Sequence, residues 1–195
     1  CTMADIKAYK PSNNSIGSGQ VLHCPYDFNK AKLIVREMAD LLALDLVDKG
    51  LVTDQIVLTV GYDIENLNTA DKRKAYKGEV TTDYYGRKVP KHAHGTINLE
   101  QKTSSTKDIV NAAMKLYDRI VNKDMFIRRA YIVANHVIDE KTVMKPAFEQ
   151  LDLFTDYEEV KKQRATEEKE RQDEKNVQKA ILDIKKKYGK NAIIK

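Results

Sequence analysis

The sequence has 195 residues, 32% of them charged and 42% hydrophobic, with a formal net charge of +5; that is enough chain for one domain with a proper core, or one domain and an appendage. No run approaches the ~18 apolar residues of a membrane span and no signal-peptide pattern opens the chain, so no membrane role is expected. Two cysteines, Cys1 and Cys24, make no disulfide framework, and a reducing, cytoplasmic setting is the default expectation.

In chain order, residues 1–14 carry Pro11 and a Ser/Asn cluster and read as a linker, so the chain is expected to be a piece of something longer. Residues 15–22, SIGSGQVL, alternate polar and apolar around two glycines and predict a strand. Pro25-Tyr26-Asp27 predicts a turn and an N-cap. The helix that follows, over 28–49, has Leu33, Ile34, Met38, Leu41, Leu42 and Leu46 as its apolar stripe and Gly50 as its stop. Cys24 reads as a small buried hydrophobe rather than a nucleophile. Residues 55–62, QIVLTVGY, are rich in β-branched side chains and predict a buried strand.

Residues 64–90 form a polar excursion longer than a plain hairpin needs, with room for a small strand pair at 76–85. Within 72–91, seven Lys/Arg stand against Glu79 and Asp83, a local +5 that equals the excess of the whole chain. Such local basicity is the electrostatic footprint of a phosphate-binding surface, or else a solvated loop. The stretch 84–105, YYGRKVPKHAHGTINLEQKTSS, then runs through a strand at 94–99 into a Thr/Ser cluster. A helix starts at Ser105 or Thr106, with Asp108 at capping-box spacing from Ser105 and a stripe of Ile109, Ala113, Leu116, Tyr117 and Ile120. The last strand spans 127–138; Ala130, Ile132 and Ala134 point to the helices, and Arg129, Tyr131 and Asn135 to the other side.

After Glu140 the composition changes. A connector over 141–156 contains the apolar-rich pentapeptide QLDLF at 150–154, and 157–195 form a helix-prone tail dense in mixed charge. Only Val177, Ala180, Ile181 and Ile184 of that tail make a stripe able to pack, so a solvated helix is expected for most of it. The order β-α-β-β-α-β predicts an α+β fold: an open antiparallel sheet with two helices on one face, followed by the charged helical tail. The uncovered face is left for a partner.

No catalytic constellation stands out. There is no pair of spaced carboxylates of the sort that holds two metal ions, no Walker loop, no GxGxxG and no CxxC. His92 and His94 share a strand face but lack a third ligand, so they read as polar surface histidines, and His23 and His136 as ordinary strand residues. Phosphate binding fits better. Glycines 17 and 19 allow close approach to backbone N–H groups, and the hydroxyls of Ser15, Ser18 and Thr96 with the cations Lys88, Lys91, Arg128 and Arg129 complete a surface that positions a backbone without reading sequence. A polar face that meets only solvent or a sister domain is the alternative.

Ser15-Ile16-Gly17, the β-α-β-β-α-β order, His94-Gly95-Thr96 and Ile127-Arg128-Arg129 together resemble the little finger domain of Y-family translesion DNA polymerases. The fuller pattern SIGSGQVLHCPYDF, DYYGRKVPKHAHGTINL and QLDLF most resembles the UmuC-like UV-damage-repair polymerases of Firmicutes. The resemblance implies a linker from a catalytic core at 1–14, a DNA-binding domain at 15–140 with an insertion at 64–90, a clamp-binding connector at 141–156 and a tail at 157–195. It implies that the open sheet sits in the major groove of template–primer duplex and grips phosphates. The residues that carry over are Ser15, Gly17, Ser18 and Gly19, then Lys91, His92, His94 and Thr96, then Arg128 and Arg129, with Lys88 added for its charge. Ser18 departs from the basic residue often found there, which weakens that part of the grip.

QLDLF is similar to the bacterial sliding-clamp-binding motif, so Gln150, Leu151, Asp152, Leu153 and Phe154 are expected to dock to a clamp. The family's catalytic acids lie in a palm, so this chain is expected to be no enzyme and to need no cofactor, whereas a parent polymerase would use Mg²⁺ and pack its own palm and thumb beside this domain. Two other functions share the fold: an RNA-recognition-like module, against which the third strand's lack of aromatics counts, and a protein-interaction domain without nucleic acid.

Overall fold

The structure is a computed structural model and describes residues 2–3, 14–68, 73–74, 76–143, 157–189 and 192–193, with backbone alone for 157–165 and 167. Its elements are β1 (Ile16–Tyr26), α1 (Phe28–Lys49), β2 (Leu51–Tyr62), a one-turn α2 (Glu65–Asn68), β3 (Val80–Thr82), β4 (Lys88–Pro90), β5 (Ala93–Thr103), α3 (Thr106–Ile120), β6 (Ile127–Asn135), β7 (Ile138–Asp139) and α4 (Tyr157–Tyr188). The main sheet has the order β1-β6-β2-β5, all antiparallel, with β7 extending β2. The expected α+β fold, one open antiparallel sheet under two helices, is borne out.

The two helices packed on the sheet each begin at a side-chain cap, and α1 also ends on a glycine. The Asp27 carboxylate accepts the Lys30 N–H at 2.8 Å, and Gly50 ends α1 at φ 66°, a left-handed conformation that glycine adopts without a Cβ penalty. Ser105 caps α3 by accepting the Asp108 N–H at 3.2 Å. Between helices and sheet lies the core: Val35, Ala39, Leu42 and Leu46 from α1, Ile109, Leu116 and Tyr117 from α3, Ile56, Leu58 and Val60 from β2, and Ala130, Ile132 and Ala134 from β6. The α3 stripe agrees with expectation, Ile120 at its edge being half-buried. Tyr117 is buried completely, and its hydroxyl donates to the Phe28 carbonyl at 2.9 Å.

Several expectations need correction. The buried row of α1 is Ala31, Val35, Met38, Ala39, Leu42, Ala43 and Leu46; Leu33 is 65% exposed and Leu41 faces outward. Alanines let the helix lie close to the sheet, which turns those two leucines away. β1 continues through Pro25 and Tyr26 instead of turning there, with a register irregularity between Val21 and Tyr26. Cys24 is exposed, because it lies within that irregularity on an edge strand. The last strand stops at Asn135, and His136, at φ 52°, redirects the chain into β7. The extra strand pair expected within 76–85 exists with different bounds, Val80 to Thr82 against Lys88 to Pro90.

The tail helix docks by polar contacts. Gln178, only 4% exposed, donates to the Ser104 carbonyl (3.1 Å) and the Thr106 hydroxyl (2.6 Å), and Glu174 accepts from the Ser105 hydroxyl (2.8 Å) and the Lys107 N–H (3.0 Å). Lys175 pairs with Glu140 and Lys186 with Asp48. Of the expected stripe only Ile181 is half-buried, while Val177, Ala180 and Ile184 face solvent. A carboxylate at the N-terminus of α3 meets unpaired N–H groups, which sets the rotation of α4 more strongly than its few apolar side chains do.

Candidate nucleic-acid interface

Opposite residues in an antiparallel pair point to the same face, so the register of β1-β6-β2-β5 defines rows across the open side. One row is Gly19, Tyr131, Thr59 and His94; a second is Gly17, Val133, Val57 and Thr96; a third is Asn135, Gln55 and Asn98; a fourth is Val21, Arg129 and Gly61. The alternate residues of the two inner strands, Ala130, Ile132 and Ala134 with Ile56, Leu58 and Val60, are buried under the helices.

The rows are organised by side chains. His94 Nδ1 and the Thr59 hydroxyl lie 2.9 Å apart, and the His92 and His94 rings meet edge-on at 6.4 Å. The amides of Asn135, Gln55 and Asn98 form a ladder, with Asn135 Nδ2 donating to Gln55 Oε1 at 3.0 Å and Gln55 Nε2 donating to Asn98 Oδ1 at 2.9 Å. Tyr131, 48% exposed, covers Gly17 and Gly19, where an added Cβ would stand 2.8 Å from the tyrosine hydroxyl and 2.8 Å from ring Cδ2 respectively. Arg129 lies over Gly61 in the same way, 2.5 Å from where a Cβ would be. The glycines are thus recesses that bring backbone and long side chains into one polar layer. Behind β5, Arg119 donates to the Thr96 carbonyl at 2.6 Å and fixes that edge to α3.

The expected binding residues divide. Gly17, Gly19, His94, Thr96 and Arg129 share the open face, with His92 at its margin beside His94. Ser15 is exposed just before β1. Ser18 is in register with buried Ile132, so its hydroxyl turns to the helix side and only its main chain is left for the open face. Lys91 is paired with Glu79 at 2.6 Å, and the hydrogen bond it donates to the Glu79 carboxylate raises its pKa above the usual lysine value. Arg128 serves the fold, donating to the His23 carbonyl at 3.0 Å and lying 3.8 Å from the buried Asp63 carboxylate. Lys88 stands on β4, on the hairpin and off the sheet. Gln150, Leu151, Asp152, Leu153 and Phe154 lie outside the described residues.

Tyr131, Thr59 and the amides of Gln55, Asn98 and Asn135 belong to the face and were not among the expected binding residues. The signal for Tyr131 and Asn135 was their alternation with Ala130, Ile132 and Ala134; nothing local marks Gln55 and Asn98, whose meeting depends on register. Among the described residues no group of three or more His, Cys, Asp or Glu is placed to hold a metal ion, and no helix is long and apolar enough to cross a membrane.

Residues 13–153 match the family model described as the impB/mucB/samB family C-terminal domain, which bears out the resemblance drawn from the strand motifs. Among solved structures, a little finger domain of PolIV in complex with the beta-clamp processivity factor aligns at 12% identity and TM-score 0.40, over 73% of this chain and 100% of that one. The Dbh DNA polymerase aligns in an insertion ternary complex at 11% identity and TM-score 0.38, and in a post-insertion binary complex at 11% and 0.37. Those two alignments cover 69% and 70% of this chain but 33% of each polymerase chain. No curated protein matches.

Proposed function

We propose that this chain, which belongs to the impB/mucB/samB family through its C-terminal domain, is the DNA-gripping little finger of a UmuC-like translesion polymerase of the Y family. Its task is to hold template–primer duplex through phosphate contacts while a short peptide docks the protein to a sliding clamp. The observation that carries the proposal is the four-strand open face, where hydroxyl, amide, imidazole and guanidinium groups stand in register on the side away from both helices. Neutral hydrogen-bonding groups with a few cations suit a sugar–phosphate backbone, which is held in position without being read. β1 lies at the sheet's edge, and among the described residues no further strand faces the main-chain N–H groups on its outer side.

In this reading the chemistry resides elsewhere in a parent polymerase, whose Mg²⁺-dependent nucleotidyl transfer belongs to a palm and whose thumb lies beside this domain. QLDLF supplies the clamp contact, with Gln150 as the polar hook and Leu153 and Phe154 as the apolar anchors.

Two measurements test the proposal. Affinity for a primer–template duplex should fall steeply with salt, by about 0.9 log unit per log unit of salt for each phosphate contacted, and should not depend on sequence. A chain that prefers single-stranded RNA at low salt would contradict the duplex assignment. Replacing Leu153 and Phe154 by Ala should abolish co-elution with a bacterial sliding clamp; co-elution retained by the double variant would remove the clamp assignment.

A further inference from the structure

The β3–β4 hairpin stands apart from the sheet and is held together with more polar contacts than a six-residue ladder needs. Asp83 organises its tip: the carboxylate accepts the N–H of Tyr85 (3.0 Å), the N–H of Arg87 (2.9 Å) and the Arg87 Nε (2.8 Å), while the Asp83 N–H donates to the Arg87 carbonyl at 2.9 Å. Hydrogen bonds from the Arg87 side chain hold the Asp83 carboxyl below its usual pKa. The root is fastened too, by the Lys91 N–H on the Glu79 carbonyl (2.8 Å) and the Lys91–Glu79 ion pair.

What this frame holds out is aromatic. Tyr84 is 96% exposed and Tyr85 77% exposed, their rings edge-on at 5.5 Å, with the Arg87 guanidinium 5.2 Å from the centre of the Tyr85 ring. A lone exposed tyrosine is ordinary; two adjacent rings on a tip braced by a carboxylate form a rigid apolar surface that water solvates poorly. Lys77 and Lys88, both exposed, add positive charge along the same hairpin. Its far strand leads through Lys91 directly into His92 and His94, the edge of the open face.

We propose that Tyr84 and Tyr85 are a stacking platform for unpaired bases of single-stranded DNA that continues from a duplex held on the sheet. Aromatic rings stack on any base, and cations beside them hold the intervening phosphates, which is how single strands are bound without sequence preference. The tip's prior order favours this, since little rotamer and loop entropy remains to be lost on binding. This inference rests on the duplex-grip reading above.

The test compares three DNAs with the full 195-residue chain: a blunt duplex, the same duplex with a single-stranded overhang, and that overhang made of abasic sites, which keep the charge and lose the bases. Wild type should bind the base-bearing overhang about tenfold more tightly than the abasic one. Tyr84→Ala with Tyr85→Ala should erase that difference and leave blunt-duplex affinity unchanged, and Tyr84→Phe with Tyr85→Phe should restore it, because Phe stacks as well. Wild type that does not distinguish base-bearing from abasic overhangs, or an Ala double variant that still does, overturns the platform. Equal weakening of blunt and overhang DNA by the Ala variant overturns it as well, since the hairpin would then touch duplex. Failure of the duplex reading shows separately, as a wild type with no affinity for the blunt duplex.

Discussion

The Tyr131 ring occupies the space that a side chain at Gly19 would need: the two residues are in register across β1 and β6, and a Cβ on Gly19 would stand 2.8 Å from ring Cδ2. Gly19→Ala must therefore displace the ring toward solvent, with an expected loss of about 1 kcal/mol for the disturbed packing. In a Tyr131→Ala background the same change should be neutral or stabilising, because alanine narrows the unfolded ensemble by about 0.4–1 kcal/mol. Urea midpoints of the four proteins in this cycle give the coupling directly. A Gly19→Ala cost that is the same in both backgrounds would show that the ring does not enforce the glycine.

Asp27, Gly50 and Ser105 are legible in the sequence because a cap is local: one side chain or one φ value acts within three residues. The inner strands are legible for a similar reason, as Ala130, Ile132 and Ala134 alternate with Arg129, Tyr131 and Asn135. What escapes local inspection depends on distant partners. Leu33 looks like a core residue until Ala31, Val35 and Ala39 are seen to bring α1 down on their own row. The Asn135–Gln55–Asn98 ladder joins three strands and cannot be inferred from any one of them. Ser18 and Gly19 look equivalent as phosphate contacts, yet one residue of register sends them to opposite faces. The docking of α4 through Glu174 and Gln178 is hidden because hydrophobic periodicity carries no record of hydrogen bonds.

Glu174 completes the N-terminus of α3 from a helix almost seventy residues away, accepting from both the Ser105 hydroxyl and the Lys107 N–H. Glu174→Gln leaves the side chain's shape and removes the charge that the N-terminal N–H groups favour. The expected loss is about 1 kcal/mol, the usual worth of a cap contact. It should appear as faster amide exchange in the first turn of α3 and along α4, with the amides of β2 and β6 unaffected. Unchanged exchange at Lys107 would show that the contact does not hold the tail.

Asp54 ties acid stability to the other end of the sheet. Burial draws its pKa upward, but hydrogen bonds from His136 (2.8 Å) and Lys102, whose Nζ lies 3.2 Å away, outweigh that and lower it below the usual carboxylate value. A carboxyl with a lowered folded pKa contributes its full stability above the unfolded value of about 3.9 and loses it as pH falls through the folded pKa. Urea midpoints of wild type should thus decline below about pH 4 partly through this group, and Asp54→Asn should flatten that decline while lowering the midpoint at neutral pH. All three side chains are about a third exposed or more, so the effect is modest and shrinks in high salt. An acid limb identical in wild type and Asp54→Asn would assign the decline to other carboxylates.

Adjacent arginines on β6 separate fold from grip. Arg128 donates to the His23 carbonyl at 3.0 Å and stands 3.8 Å from buried Asp63, whereas Arg129 lies over Gly61 on the open face. Arg128→Ala should therefore destabilise the domain, because it leaves the Asp63 carboxylate buried without its cation. Arg129→Ala should leave the unfolding free energy from urea titration within about 0.5 kcal/mol of wild type, as expected where a surface side chain is removed without disturbing the core. On duplex DNA the order reverses. Arg129→Ala should weaken binding equally across sequences and reduce the slope of log affinity against log salt by about 1, as when one phosphate fewer is neutralised. Fluorescence anisotropy over a salt series measures that slope. An Arg129→Ala slope equal to wild type would move the phosphate contacts off this row, whereas a shallower slope in stably folded Arg128→Ala would show that the arginine bound to His23 is shared with the DNA.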